Sequence, residues 1–253
     1  MNPTNPHPVA AFPRRKCLCV DLPRIDYQDA WTLQTDLVAA RWERRLDTDV
    51  ILLLEHPPVF TLGRRGGMGN LTVSEDMLQE RGIPVIQVER GGDITFHGPG
   101  QLVIYPIIDL NAARLGVADY VEMLEEAVIR VAADWGITAG RDPRNRGVWV
   151  SNSKLASIGI AVRRGISFHG VALNVSLALE PFGWINPCGL RGIGITSMEK
   201  KLGQRVSMED VRQNVKHHLE DIFEVEIVMT DIARDSGMGV LCLQLGDKGV
   251  PSY

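Results

Sequence analysis

Apolar residues recur along this chain with two periods. From Asp26 to about Leu46, the residues Tyr27, Ala30, Trp31, Leu37, Val38 and Trp42 fall on a stripe close to the 3.6-residue helical repeat, and Asp26 supplies an N-cap. Val117, Tyr120, Val121, Leu124, Val128, Val131 and Trp135 make the clearest helical face, stopped by Gly136. Ser207 caps a helix to about Ile222, with Val211, Val215, Leu219 and Ile222 inward, and Ser74 caps a short one that stops at Gly82. Between them, apolar runs predict strands at 17–22, 50–55, 59–62, 84–89, 102–108, 147–150, 154–163, 166–175 and 224–228. A His-Pro-Pro turn joins 50–55 to 59–62, and residues 176–206 read as a long loop.

Strands and helices are mixed without strict βαβ alternation, and no repeat is visible. That favours an α+β fold: a single domain with a mixed, largely antiparallel sheet and helices on one face. The expected organisation is a disordered arm over 1–16, a catalytic domain over 17–230 and a glycine-rich tail over 231–253.

Composition narrows the class. Of 253 residues, 45% are hydrophobic and 23% charged, enough to bury a core. A net charge of -4 argues against a nucleic-acid-binding surface. The apolar run Val50–Leu54 is far too short to span a membrane. The N-terminal stretch has no long apolar region, and Pro3, Pro6, Pro8 and Pro13 would break a targeting helix, so it reads as an arm. Cys17, Cys19, Cys188 and Cys242 show no CxxC spacing, which points to a reducing compartment and away from a zinc site. No H-x-x-x-H or carboxylate cluster argues for a metal.

The segment RGGDITFHGPGQ, residues 90–101, holds four glycines. Gly98-Pro99-Gly100 leads into a strand, the wrong context for a dinucleotide fingerprint, and no Gly-Lys-Ser/Thr follows for a P-loop. A plain connection between buried strands would give Arg90 and His97 no work. A wall of a ligand site, where glycine lets backbone come close, uses them both.

Cys188 sits in the turn-like INPCGL, residues 185–190, whereas the other cysteines lie in apolar strand-like stretches as packed thiols. As a nucleophile it needs activation, because a free thiol has a pKa of about 8.5. Lys154, His97 and His169 are the candidate activators. Lys154 opens the apolar strand KLASIGIAV, and alternation places it on one face with Ala156, Ile158 and Ile160. A lysine merely ending a strand in solvent remains the other reading. His56 reads as structural, and His217 and His218 as exposed.

RGGDITFHGPGQLVIYPIIDL, KLASIGIAV, SFHGVALNV and INPCGL, in this order and spacing, resemble the lipoyl(octanoyl) transferases, which belong with the lipoate and biotin protein ligases. From Lys154 to Cys188 is 34 positions (188 − 154), as in that family. The resemblance implies the biotin/lipoate ligase catalytic fold and transfer of an octanoyl group from octanoyl-acyl carrier protein, through a thioester on Cys188, to a lysine of a lipoyl domain. It implies that Lys154 lowers the pKa of Cys188 and serves as acid and base. It places Arg90, Gly91, Gly92, Asp93, Ile94, Thr95, Phe96 and His97 around the substrate, with Ser157, Ile158, Gly159, Gly170, Val171 and Ala172 as further binding backbone. The implied acceptors are the lipoyl domains of 2-oxoacid dehydrogenase E2 subunits and the glycine cleavage H protein. The implied enzyme is a cytoplasmic monomer with no cofactor and no metal, and its carrier partners are acidic. Arg64, Arg65, Arg163 and Arg164 are candidate residues to steer them. Ser151–Ser153 departs from the glycine turn common before the family lysine. The rivals are an ATP-dependent lipoate or biotin ligase, a non-catalytic binder of acylated carrier domains, and a cysteine hydrolase.

Overall fold

A computed structural model describes residues 14–186, 194–234 and 241–245. Cys188 therefore lies outside the described residues, as does most of the expected N-terminal arm. In chain order the elements are β1 (Arg15–Arg24), α1 (Tyr27–Trp42), β2 (Asp49–Glu55), β3 (Val59–Leu62), α2 (Glu75–Glu80), β4 (Val85–Gln87), β5 (Ile94–His97), β6 (Gln101–Ile107) and α3 (Val117–Asp134). There follow β7 (Gly140–Asp142), β8 (Asn145–Val150), β9 (Ser153–Arg163), β10 (Ile166–Asn174), β11 (Gly194–Ile195), α4 (Met198–Leu202), α5 (Met208–Phe223), β12 (Val225–Arg234) and β13 (Leu241–Leu245).

Two sheets form. The large one runs β13-β12-β1-β2-β6-β10-β9-β8-β7, with β11 added beside β9; the small one runs β4-β3-β5. In the large sheet β1 is parallel to both β2 and β12, β11 is parallel to β9, and the other pairs are antiparallel. The mixed, largely antiparallel sheet expected from the sequence is the one observed.

The helices, however, cover both faces, correcting the one-face expectation. Leu18, Val20, Val50, Leu52, Leu54, Val103 and Tyr105 pack with α1 through Ala30, Leu33, Leu37 and Val38. The alternate residues Cys17, Cys19, Ile51, Leu53, Leu102 and Ile104 pack with α3 and α5 through Leu124, Val128, Val211, Val215 and Leu219. The reason lies in β2: a strand reading VILLL is apolar on both sides, and both must be covered.

Serine and aspartate caps hold the helix starts. Asp26 accepts the Gln28 amide, Ser74 that of Met77 and Ser207 that of Asp210. Helix α1 stops at Trp42 rather than Leu46, and Trp42 is half exposed with the Arg164 guanidinium 4.9 Å from its ring centre. The His-Pro-Pro turn joins two strands that enter different sheets, β2 and β3. The glycine segment hides β5, whose residues His97, Phe96, Thr95 and Ile94 pair with Val59, Phe60, Thr61 and Leu62 of β3. The expected long loop contains β11 and α4, both too short to write a period into the sequence. Strand β12 runs on past Val228 to Arg234 and pairs with β13.

Candidate active site

The glycine segment joins the two sheets. Its β5 portion belongs to the small sheet, while the Gly91 amide donates to the Ile160 carbonyl of β9 at 2.8 Å. That approach depends on Gly159: a Cβ there would stand 2.8 Å from the Gly91 oxygen and 3.0 Å from Arg90 Cδ. The loop 63–70 clasps the same segment, with amides of Gly63, Arg64 and Arg65 donating to carbonyls of Asp93, Arg90 and Gly92. Asn70 Nδ2 donates to Asp93 Oδ2 at 2.7 Å.

Between the sheets lies a narrow pocket with a cavity volume of about 60 Å³. One wall is Arg90, Gly92, Asp93, Ile94, Thr95 and His97. The floor is β9 and β10, where Ser157, Ile158 and Gly159 pair across the ladder with Ala172, Val171 and Gly170. The two triplets are thus one patch of sheet. Gly91 lies behind the wall, bordering an adjoining groove, and Phe96 turns away into the small sheet's core against Phe60 and Phe182. Lys154 lines the pocket too. It is buried, with Nζ 5.1 Å from the ring centre of its cross-strand partner Trp149. A register shift between Val148 and Trp149 interrupts the two-residue alternation here, so the position of Ala156 does not fix where Lys154 points.

The segment carrying Cys188 is anchored at both described ends. Asn186 donates to the Asn70 carbonyl, and Ile185 bridges Leu71. On the far side Gly194 and Ile195 pair with Ser153 and Lys154, and Ile195 lines the pocket.

The chain matches the family model of the lipoyl protein ligase A/B catalytic domain over residues 26–220. It is 48% identical to an octanoyltransferase of Desulfotalea psychrophila over 206 residues, covering 81% of this chain and 92% of that protein. It is also 48% identical to an octanoyltransferase of Syntrophobacter fumaroxidans over 212 residues, covering 83% and 92%. The chain belongs to the lipoyl protein ligase A/B family. Its fold agrees: a lipoate-protein ligase A bound with ATP superposes with a TM-score of 0.66 at 15% identity, covering 88% of this chain and 90% of that one. A bi-partite lipoate protein ligase from Thermoplasma acidophilum gives 0.64 at 16% identity, covering 87% and 88%.

Within this family domain, a buried polar cluster backs the pocket that sequence reasoning reached only in part. Arg90 Nη2 donates to the Thr61 carbonyl at 2.7 Å and its hydroxyl at 2.8 Å. His97 bonds Gln101 at 2.8 Å and Thr61 at 3.2 Å. His56 bonds the Ile25 carbonyl and the Tyr105 hydroxyl, both at 2.8 Å. Tyr27, read as core stripe, and Tyr105 both line the pocket, as do Asn145 and Phe182. A hydroxyl-bearing ring inside the apolar run QLVIYPI was the available signal for Tyr105.

Burial also decides which candidate activators carry charge. Desolvation pushes His97 well below the usual histidine range and His169 down to about 3. Both rings are neutral near pH 7. Burial likewise raises Cys17, and raises Cys19 to about 12, as suits packed thiols. Of the four candidate steering arginines, Arg65 borders the groove beside the pocket. Arg163 is committed to Glu89 at 2.9 Å, and Arg164 to Trp42. His217 is exposed as expected, but His218 is largely covered and bonds Asp134 at 2.7 Å. Among the described residues no group of three His, Cys, Asp or Glu is arranged to hold a metal, and no helix is long and apolar enough to cross a membrane.

Proposed function

We propose that this protein is an acyltransferase of protein lipoylation, which takes an octanoyl group from octanoyl-acyl carrier protein and delivers it through Cys188 to a lipoyl-domain lysine. The observation that carries the reading is Lys154. It is a buried lysine in the pocket wall, on the strand that also pairs with the outgoing end of the Cys188 segment.

That placement supports the following chemistry. The Cys188 thiolate attacks the donor thioester carbonyl; a new C–S bond forms, and the bond to the carrier arm breaks. The departing carrier sulfur takes a proton, which Lys154 supplies. The acceptor amine then attacks the acyl-cysteine, forming an amide and returning the sulfur to Cys188, while the amine's proton passes to Lys154. A thioester is already activated, so no nucleotide is consumed.

Lys154 has the strength for its part. A cation about 4 Å from the sulfur contributes up to about 4 kcal/mol at an effective dielectric of about 20. At about 1.4 kcal/mol per pKa unit, that brings a thiol from about 8.5 to below neutrality. The neutral His97 and His169 contribute no such charge. The slim pocket takes the acyl chain between the glycine wall and the β9–β10 floor. The acceptors are lipoyl domains, as in 2-oxoacid dehydrogenase E2 subunits and the glycine cleavage H protein.

Intact mass after mixing with octanoyl carrier protein, without ATP, tests this. One octanoyl adduct is expected, labile to hydroxylamine and absent in Cys188→Ser. No adduct on folded protein, with transfer only from free acid and ATP, would make it a ligase.

A further inference from the structure

We propose that Gly147 and Trp149 on β8 form a seat that fixes the Lys154 ammonium, and that Glu125 of α3 holds the seat in place. The proposal rests on the reading of Lys154 as the cation that keeps Cys188 ionised.

Lysine ends a flexible four-carbon stem, and its electrostatic effect falls inversely with distance, so an ammonium that wanders to twice its separation loses half its influence. The Lys154 side chain is not left to wander. It runs past Gly147, where a Cβ would stand 2.5 Å from the Ala156 carbonyl oxygen, 2.7 Å from Lys154 Cε and 3.3 Å from Lys154 Nζ. No other residue type leaves that passage open, and Gly147 has a φ of 133° that side chains rarely adopt. The stem ends over the indole of Trp149, whose face attracts a cation and offsets part of the cost of burying it. The register shift is what sets Trp149 opposite Lys154.

Glu125 reaches this point from the helix packed behind. Its buried carboxylate accepts the Gly147 amide at 2.9 Å, and its other oxygen takes Arg141 at 3.2 Å and Arg146 at 3.3 Å. A carboxylate this deep is satisfied by three donors, one of which is the backbone that shapes the passage. Around the seat stand Asp142 on β7, Arg144 in the following turn, 5.5 Å from the same indole, and Arg146 on β8. Hydrogen bonds from Arg144 hold Asp142 down to about 2, so its charge is constant across the range where a thiol titrates.

The test is the pH profile of Cys188 alkylation by iodoacetamide, followed by peptide mass so that other cysteines do not contribute, in the full-length protein. Lys154→Met should raise the apparent thiol pKa and slow alkylation at pH 7 at least tenfold. Gly147→Ala and Trp149→Leu, with Lys154 present, should move the profile the same way and slow it at least threefold. Trp149→Phe keeps an aromatic face and should lie closer to the parent than Trp149→Leu. Where Gly147→Ala does not fold, the Trp149 pair alone decides. A shift in Lys154→Met with parental profiles for Trp149→Leu and Gly147→Ala would overturn the seat and leave the dyad standing. A parental profile in Lys154→Met itself would remove the dyad and the seat together.

Discussion

Substituting Gly159 by alanine should separate the two walls of the pocket. The new Cβ would meet the Gly91 oxygen at 2.8 Å and Arg90 Cδ at 3.0 Å. Neither neighbour can yield cheaply, since Arg90 is pinned to Thr61 by two bonds from one nitrogen and Gly91 is bonded to Ile160. Overpacking of this kind costs about 1–3 kcal/mol, and losing the Gly91 bond about 1 kcal/mol more. Reduced freedom of the unfolded chain returns up to about 1 kcal/mol. The net loss is roughly 1–4 kcal/mol, a fall in Tm of roughly 2–16 °C for a domain of this size. Gly67→Ala is the control, because a Cβ there meets nothing within 4 Å. Thermal melts of both variants and initial rates of octanoyl transfer make the assay. Gly67→Ala should match the parent in both, and Gly159→Ala should melt lower and transfer more slowly. A Gly159→Ala protein with parental melting and parental rate would refute the close approach of the walls.

Acid should destabilise the fold through its buried rings. His56 is held down to about 4 and His169 to about 3, both chiefly by desolvation. Their folded values lie below the unfolded value of about 6.5, so stability is complete above that pH and falls as pH drops toward 3–4, by about 1.4 kcal/mol per ring per pH unit. Denaturant midpoints that stay flat from pH 7 to 4.5 would contradict this. Arg90→Lys should cost roughly 1–3 kcal/mol of stability and raise KM, because an ammonium cannot reproduce the planar set of bonds to Thr61 and Gly91; a parental melt would show those bonds to be dispensable. Neutralising Arg64 and Arg65 together should slow transfer from carrier protein at low salt and matter less at high salt. An unchanged low-salt rate would exclude steering by this loop.

How much was legible depends on the length over which a residue's neighbours repeat. Helices α3 and α5 were readable because over sixteen or more residues the core face returns every turn, and the cap of α5 is a single serine side chain with one task. Strands β8 to β10 were readable from apolar runs cut by turns. Elements β5, β11 and α4 span two to five residues each, too few for a period to show. The side to which Lys154 points was not legible for a different cause. A register shift one residue away breaks alternation, and only the partner strand reveals it.

The sequence by itself singled out one arginine- and histidine-bearing glycine segment and one loop cysteine as candidates, and the family resemblance added one lysine, because those residue types are costly or idle in a plain core. The tertiary structure alone decided that α helices cover both faces of the sheet, since a strand such as VILLL states that both sides are apolar but not what covers them. It alone decided that Gly159 faces Gly91, that Gly147 faces Ala156 and Lys154, and that burial lowers His97 and His169. Those are relations between residues far apart in the chain. Distance, burial and charge act through space, and no local pattern encodes them.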